Sequence, residues 1–248
     1  MASILDYSEG TTALHRANPL TKVALAICIC AAVFLAQEYW CLLALLLLVI
    51  AIGFYAGIGA KTLKLAGAFV GLGVFMFLIQ TMIVRDGKPL VLWITDKGLD
   101  TGLHVALRLV TFALPLVLML SITRLNDLAN AAVEKLHVPY RYAFTITTAL
   151  RFVPIFSQEM NQIMEAQTAR GVEFDSSNPL KKLRLMLPLA APLLIGSVAK
   201  ADDTALAAEE RGFYLRSRES SYKRYPFRAL DVVLLVLGVA IVVLGALF

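Results

Sequence analysis

Charge is scarce in this sequence. Asp, Glu, Lys and Arg make up 17% of the 248 residues and apolar side chains 59%, where soluble domains carry about 25% and about 45–50%. Mean hydropathy is +0.74, and the apolar residues are gathered into blocks, so the chain is an integral membrane protein. Histidine is equally rare: His15, His104 and His137 lie on unrelated segments and no His-Glu-x-x-His occurs, which removes the zinc-peptidase helix. The phosphate-cradling pattern Gly-x-x-x-x-Gly-Lys-Ser/Thr is missing. Its nearest approach, Gly59-Ala60-Lys61-Thr62, lacks the glycine before lysine, so no P-loop is available to bind ATP. A Gly-x-Ser-x-Gly elbow is absent too. The three cysteines, Cys28, Cys30 and Cys41, fall in or beside the first two apolar blocks. They imply packing rather than a metal site or a disulfide framework. No motif points to a catalytic residue, a cofactor, a resident metal or a nucleic-acid partner.

What is present is a series of apolar runs at about 23–37, 41–58, 65–84, 103–122 and 229–248. A spanning helix needs about 20 apolar residues, with a range of about 17–25. The expected fold class is therefore an all-α polytopic membrane protein with about five transmembrane helices. Gly53–Gly57 and Gly67–Gly71 each form a Gly-x-x-x-Gly that allows close helix approach. Residues 1–21, with Asp6, Glu9, His15 and Arg16, are polar and make a poor secretory signal. Arg16, Lys22, Lys61 and Lys64 flank the ends that should face the cytoplasm, whereas the 85–102 loop balances Arg85, Lys88 and Lys97 against Asp86, Asp96 and Asp100. Residues 124–228 hold 15 Lys and Arg against 11 Asp and Glu, an excess of 15 − 11 = +4. By the inside bias of basic residues, the N-terminus and this region lie in the cytoplasm and the C-terminus outside. His104 and Arg108, near the start of the fourth run, are expected to reach the outer interface.

The organisation expected is 1–122 for the N-terminal segment and four spans, 123–228 for a cytoplasmic helical region, and 229–248 for a last span. Within 123–228 a short amphipathic helix covers 124–137. A long one runs from Pro139 to Arg170, and another from Asn178-Pro179 to Arg211, with prolines 154, 188 and 192 bending them. Tyr142, Ile146, Ala149, Val153, Phe156, Met160 and Ile163 form an apolar stripe on the first. Leu187, Ala191, Leu194, Val198, Ala201, Ala205 and Ala208 form one on the second. Both are expected to pack on the bundle and on each other, the two helices lying along the inner membrane face. Arg141 and Arg151 argue against a span, because charge at mid-bilayer is costly.

The two long helices end alike. Ala166-Gln167-Thr168-Ala169-Arg170-Gly171 and Ala207-Ala208-Glu209-Glu210-Arg211-Gly212 share Ala-x-x-x-Arg-Gly, 211 − 170 = 41 residues apart. Glycine terminates helices because it accepts the left-handed conformation, and a cation suits the negative end of the helix dipole. Two ordinary caps would look the same singly; their repetition suggests paired docking tips, Ala169-Arg170-Gly171 and Glu210-Arg211-Gly212. A membrane enzyme built on Asp202-Asp203 with Glu209-Glu210 is one alternative, although a single acidic cluster more often marks a solvated helix face. A stand-alone secondary transporter is another, which the lack of an intramembrane chain of acids disfavours.

The paired Arg-Gly endings before a final span resemble the transmembrane T component (EcfT family) of energy-coupling-factor (ECF) transporters. The stretch His15-Arg16-Ala17-Asn18-Pro19-Leu20-Thr21-Lys22 is similar to that family's N-terminal motif, with Ala17, Asn18 and Leu20 standing where the motif has Leu, Asp and Arg. The resemblance implies a non-catalytic coupling subunit of an ABC-type importer for a vitamin or transition-metal ion, in a prokaryotic cell membrane. It implies as partners two cytoplasmic ATPase subunits and a membrane substrate-binding S component, with the lipid bilayer around them. Arg170 and Arg211 would each enter a groove on one ATPase subunit, and two crossed helices would carry the movement to the bundle.

Overall fold

The computed structural model describes residues 10, 12–84, 86, 88–91, 94–172, 174, 178–215 and 223–247. The expectations for Asp6, Glu9, Arg85 and the last residue, Phe248, lie outside these. Among the described residues the regular structure is helical apart from a two-stranded antiparallel ribbon, β1 Pro89–Val91 with β2 Ile94–Thr95. It divides into two compact units, residues 1–132 with 225–248, and residues 133–224.

The first unit contains α1 Ala13–Arg16, α2 Pro19–Leu35, α3 Tyr39–Tyr55, α4 Gly59–Ile83, α5 Asp96–Ile122, most of α6 Leu125–Lys135, and α10 Ala229–Leu247. Three of these, α4, α5 and α10, are long and apolar enough to cross a membrane by length and composition, and α2 and α3 are shorter apolar helices of 17 residues each. The chain is an all-α polytopic membrane protein. Its core is aliphatic, built from Ile29, Val33, Leu42, Val49, Leu114, Leu118 and Ile241.

Two helices begin earlier than the apolar runs suggest. Helix α4 starts at Gly59 rather than near 65, and α5 at Asp96 rather than near 103. Hydropathy registers only the part immersed in hydrocarbon, whereas backbone hydrogen bonding continues into the polar interface where Lys61, Lys64, Asp96 and Lys97 reach water. The α5 start is fixed by Thr95, whose Oγ1 accepts from the Gly98 N–H at 3.1 Å, satisfying one of the orphan donors of a helix N-terminus. Arg108 lies within α5. It is half-buried, and its guanidinium donates to the Ala36 carbonyl at the end of α2 at 2.7 Å. Arg108 therefore satisfies a helix-terminal carbonyl beside the loop between α2 and α3.

The Gly-x-x-x-Gly motifs divide in their use. A Cβ on Gly67 or Gly71 would meet nothing within the chain, while Gly53 packs on Thr62 and Gly57 turns the chain between α3 and α4. The tight α4–α5 approach is made at Gly102, where a Cβ would lie 2.9 Å from Thr81 Oγ1 and 3.1 Å from Phe77.

The second unit contains α7 Tyr140–Ala169, α8 Pro179–Met186, a 3-10 turn at Leu187–Leu189, and α9 Ala190–Glu210. Asn178 caps α8 by accepting from the Leu180 N–H at 3.1 Å. The expected second long helix passes through a 3-10 turn at Pro188, whose nitrogen has no hydrogen to donate to the regular helix ladder. Pro154 sits within α7 without ending it. Helices α7 and α9 run antiparallel. Phe213, just past α9, stacks on Tyr140 and Phe144 at the start of α7, with ring centroids 5.5 and 4.9 Å apart. Further along, Lys200 meets Glu159.

The apolar stripes do not pack helix on helix as expected. Ile146 is 56% exposed, Val153 65%, Leu194 65% and Val198 62%. The facing surface instead carries Glu159 on α7 and Gly196 and Lys200 on α9. Periodicity reports where apolar side chains lie on a helix but not what covers them. In a membrane protein lipid or another subunit can do so, because lipid tails are as apolar as leucine. The stretch 183–210, whose most apolar 18-residue window has a mean hydropathy of 1.4, is also long and apolar enough to cross a membrane by length and composition, although its second half holds Lys200, Asp202 and Asp203.

Candidate functional site

Helix α7 ends in a full Schellman cap. Arg170 is the C-cap residue, at φ −88° and ψ 7°, and Gly171 follows at φ +89°. The Gly171 N–H donates to the Thr168 carbonyl at 2.9 Å and the Val172 N–H to the Gln167 carbonyl at 3.1 Å, the two bonds that define the motif. Helix α9 closes on the same plan. Arg211 is its C-cap at φ −82° and ψ 8°, Gly212 has φ +69°, and the Gly212 N–H donates to the Glu209 carbonyl at 2.9 Å. A 3-10 turn, Phe213–Leu215, then carries the chain onward. Each arginine therefore sits one residue beyond the last helical position, where the orphan carbonyls concentrate negative potential.

Both arginines are exposed, and among the described residues neither guanidinium has a hydrogen-bond or ion-pair partner. Ala169, Gly171 and Glu210 beside them are exposed as well, and Gly212 is half-buried. The six residues do not form one cluster. Phe213 against Tyr140 and Phe144 sets the Arg211 cap beside the start of α7, while Arg170 stands at its far end. The 30 residues of α7 span about 45 Å at about 1.5 Å per residue. The site consists of two separate tips. Tyr214 and Leu215, next to Arg211, are 82% and 88% exposed, an apolar supplement to that tip.

The acidic residues considered as an alternative are exposed on α9. Among the described residues no three His, Cys, Asp or Glu side chains come together to hold a metal ion.

The N-terminal motif behaves oppositely. Asn18, 5% exposed, caps α2 by accepting from the Leu20 N–H at 3.0 Å. Its own N–H donates to Asp231 Oδ1 at 2.8 Å and its amide nitrogen to the Tyr225 carbonyl at 3.0 Å. Asp231, 1% exposed, also accepts from the Arg228 N–H at 2.8 Å. Lys22 donates to the carbonyls of His15, at 3.0 Å, and Ile122, at 3.2 Å. The motif thus fastens α2 to α10 and to the end of α5. Asp231 was not singled out by sequence reasoning, yet it carries a signal: it is the lone acid in the block 229–248, and a carboxylate there needs a partner. The Glu159–Lys200 contact left no comparable trace.

Known proteins resemble this chain over most of its length. The family model described as CbiQ, cobalt transport protein, matches residues 10–222. The chain is similar to the energy-coupling factor transporter transmembrane protein EcfT of Ruminiclostridium cellulolyticum, 29% identical over 254 residues, covering 97% of this chain and 93% of the relative. The protein of the same description from Lacticaseibacillus paracasei is 31% identical over 230 residues, covering 88% and 87%. That from Acidaminococcus fermentans is 33% identical over 223 residues, covering 83% and 81%. With its apolar helices, its paired Arg-Gly caps and this similarity over most of its length, the chain belongs to the EcfT family of transmembrane components of energy-coupling factor transporters.

Proposed function

We propose that this protein is the non-catalytic coupling subunit of its transporter. Arg170 and Arg211 each dock on acidic groups of one cytoplasmic ABC-type ATPase subunit. The helix pair passes ATP-driven movement of those subunits to a membrane substrate-binding S component, which takes up a vitamin or transition-metal ion. The cobalt named in the description of the matching family supports the metal-ion end of that range. The observation that carries the reading is the pair of unpartnered arginines at matching C-caps on opposite ends of one helix pair. A planar guanidinium offers five donors in a fork that fits carboxylates two at a time, and a rigid helix end holds it at fixed reach. Glu159, Lys200, Asp202 and Asp203 favour a position for the pair at the cytoplasmic membrane surface, with the N-terminus inside and the C-terminus outside.

The test is co-purification from membranes and uptake. Arg170→Ala with Arg211→Ala is expected to abolish association with the ATPase subunits while the chain still inserts. Loss of an interface arginine of this kind costs about 2 kcal/mol or more, about 30-fold in affinity per tip. The docking reading is wrong if the double variant retains the ATPase subunits and transports normally.

A further inference from the structure

We infer that Glu159 and Lys200 are positioning residues: their ion pair marks the local twofold axis of the helix pair and fixes the register that gives the two arginine caps equal and opposite reach. This rests on the docking role proposed above. Lys200 Nζ lies 2.8 Å from both Oε1 and Oε2 of Glu159. The carboxylate lies across Gly196, one turn before Lys200, where a Cβ would stand 2.9 Å from Glu159 Oε1. Small size at 196 therefore keeps this face of α9 clear for the Glu159 carboxylate.

The spacing gives the pair its meaning. Arg170 is 170 − 159 = 11 residues beyond Glu159, and Arg211 is 211 − 200 = 11 residues beyond Lys200. In antiparallel helices these arms point in opposite directions, each about 16 Å long at about 1.5 Å per residue. A half-turn through the ion pair carries Glu159 to Lys200, and with it Ala166 to Ala207, Arg170 to Arg211 and Gly171 to Gly212. The 41-residue repeat is thus the trace of a local symmetry centred on this contact. Two like charges at such a point would repel, and two apolar residues would tolerate sliding. Opposite charges attract in one register, and a slip of one turn, about 5.4 Å, separates them. A target with its own twofold, such as two similar ATPase subunits, is met by both caps at once only in that register.

Lys200 and Glu159 have side chains 36% and 24% exposed, and ion pairs so accessible to water add little to folding stability. The expected effect therefore falls on coupling. The assay uses the full transporter reconstituted in vesicles, reading ATPase-subunit association and substrate taken up per ATP hydrolysed. Glu159→Lys or Lys200→Glu alone is expected to weaken association of the subunits and to lower uptake per ATP by about fivefold or more, the lower end of typical couplings between sites. Combining the two reverses the pair and is expected to restore the native ratio.

Single reversals that keep the native ratio overturn the inference. So does a double reversal that assembles with a lowered ratio or fails to assemble. If a single reversal fails to accumulate, the double reversal decides alone. Failure of the docking reading shows separately, as retained ATPase subunits in the variant lacking both arginines.

Discussion

The N-terminal motif and the arginine caps are both short polar signatures at helix ends, and the structure treats them in opposite ways. Asn18 and Lys22 are buried, with their polar groups bonded to Asp231, Tyr225, His15 and Ile122. The guanidinium groups of Arg170 and Arg211 are exposed and have no partner among the described residues. Burying a polar group without partners is costly, so Asn18 and Lys22 must be satisfied within the fold. A long cation left free at a helix end is satisfied by water and can exchange that water for another protein. The first signature holds the helices together; the second is available for work outside the chain.

Substitutions that swap these behaviours test the distinction. The largest effect is expected from Asp231→Ala, which strips the buried N–H of Asn18 and the N–H of Arg228 of their acceptor. Hydrogen bonds to a charged group contribute about 1.5–3 kcal/mol each, so a loss of about 3 kcal/mol or more should appear as a lowered melting temperature in detergent, alongside reduced accumulation in membranes. A variant with native melting would erase the contrast.

Lys22→Met comes next. It keeps the length of the side chain and removes its bonds to the His15 and Ile122 carbonyls. Each abandoned buried acceptor costs about 1–3 kcal/mol, and thermal unfolding should register it. ATPase-subunit association per folded molecule should stay unchanged.

The smallest effect belongs to Gly171→Ala. At φ +89° a Cβ meets the following carbonyl, a strain of about 1 kcal/mol. Nothing else stands in its way. Faster amide exchange confined to the last turn of α7 is expected, with weaker ATPase-subunit binding because Arg170 loses its fixed position. Exchange unchanged at that turn would mean that the cap does not depend on the glycine.

Much of this was legible because the causes are local. Asn-Pro before an apolar run marks a helix start at both Asn18 and Asn178, since side-chain capping and the fixed proline φ act within three residues. Arg-Gly marks the two ends for the same reason. Lengths were less legible: the apolar stretch of α5 begins near 103, but its hydrogen bonding begins at Asp96. The stripes of α7 and α9 were read correctly as faces and wrongly as mutual contacts. Periodicity cannot distinguish a face awaiting lipid or a partner from one buried against the neighbouring helix.

By itself the sequence determined the membrane class, the helical fold and the two cap signatures. Composition, 3.6-residue periodicity and capping chemistry all act over a turn or two. Only the tertiary structure decided that Asp231 closes the N-terminal motif across 213 residues, and that Glu159 pairs with Lys200 across 41 residues. Such pairings depend on which helices become neighbours, and that choice is made by packing over the whole bundle rather than by any short stretch.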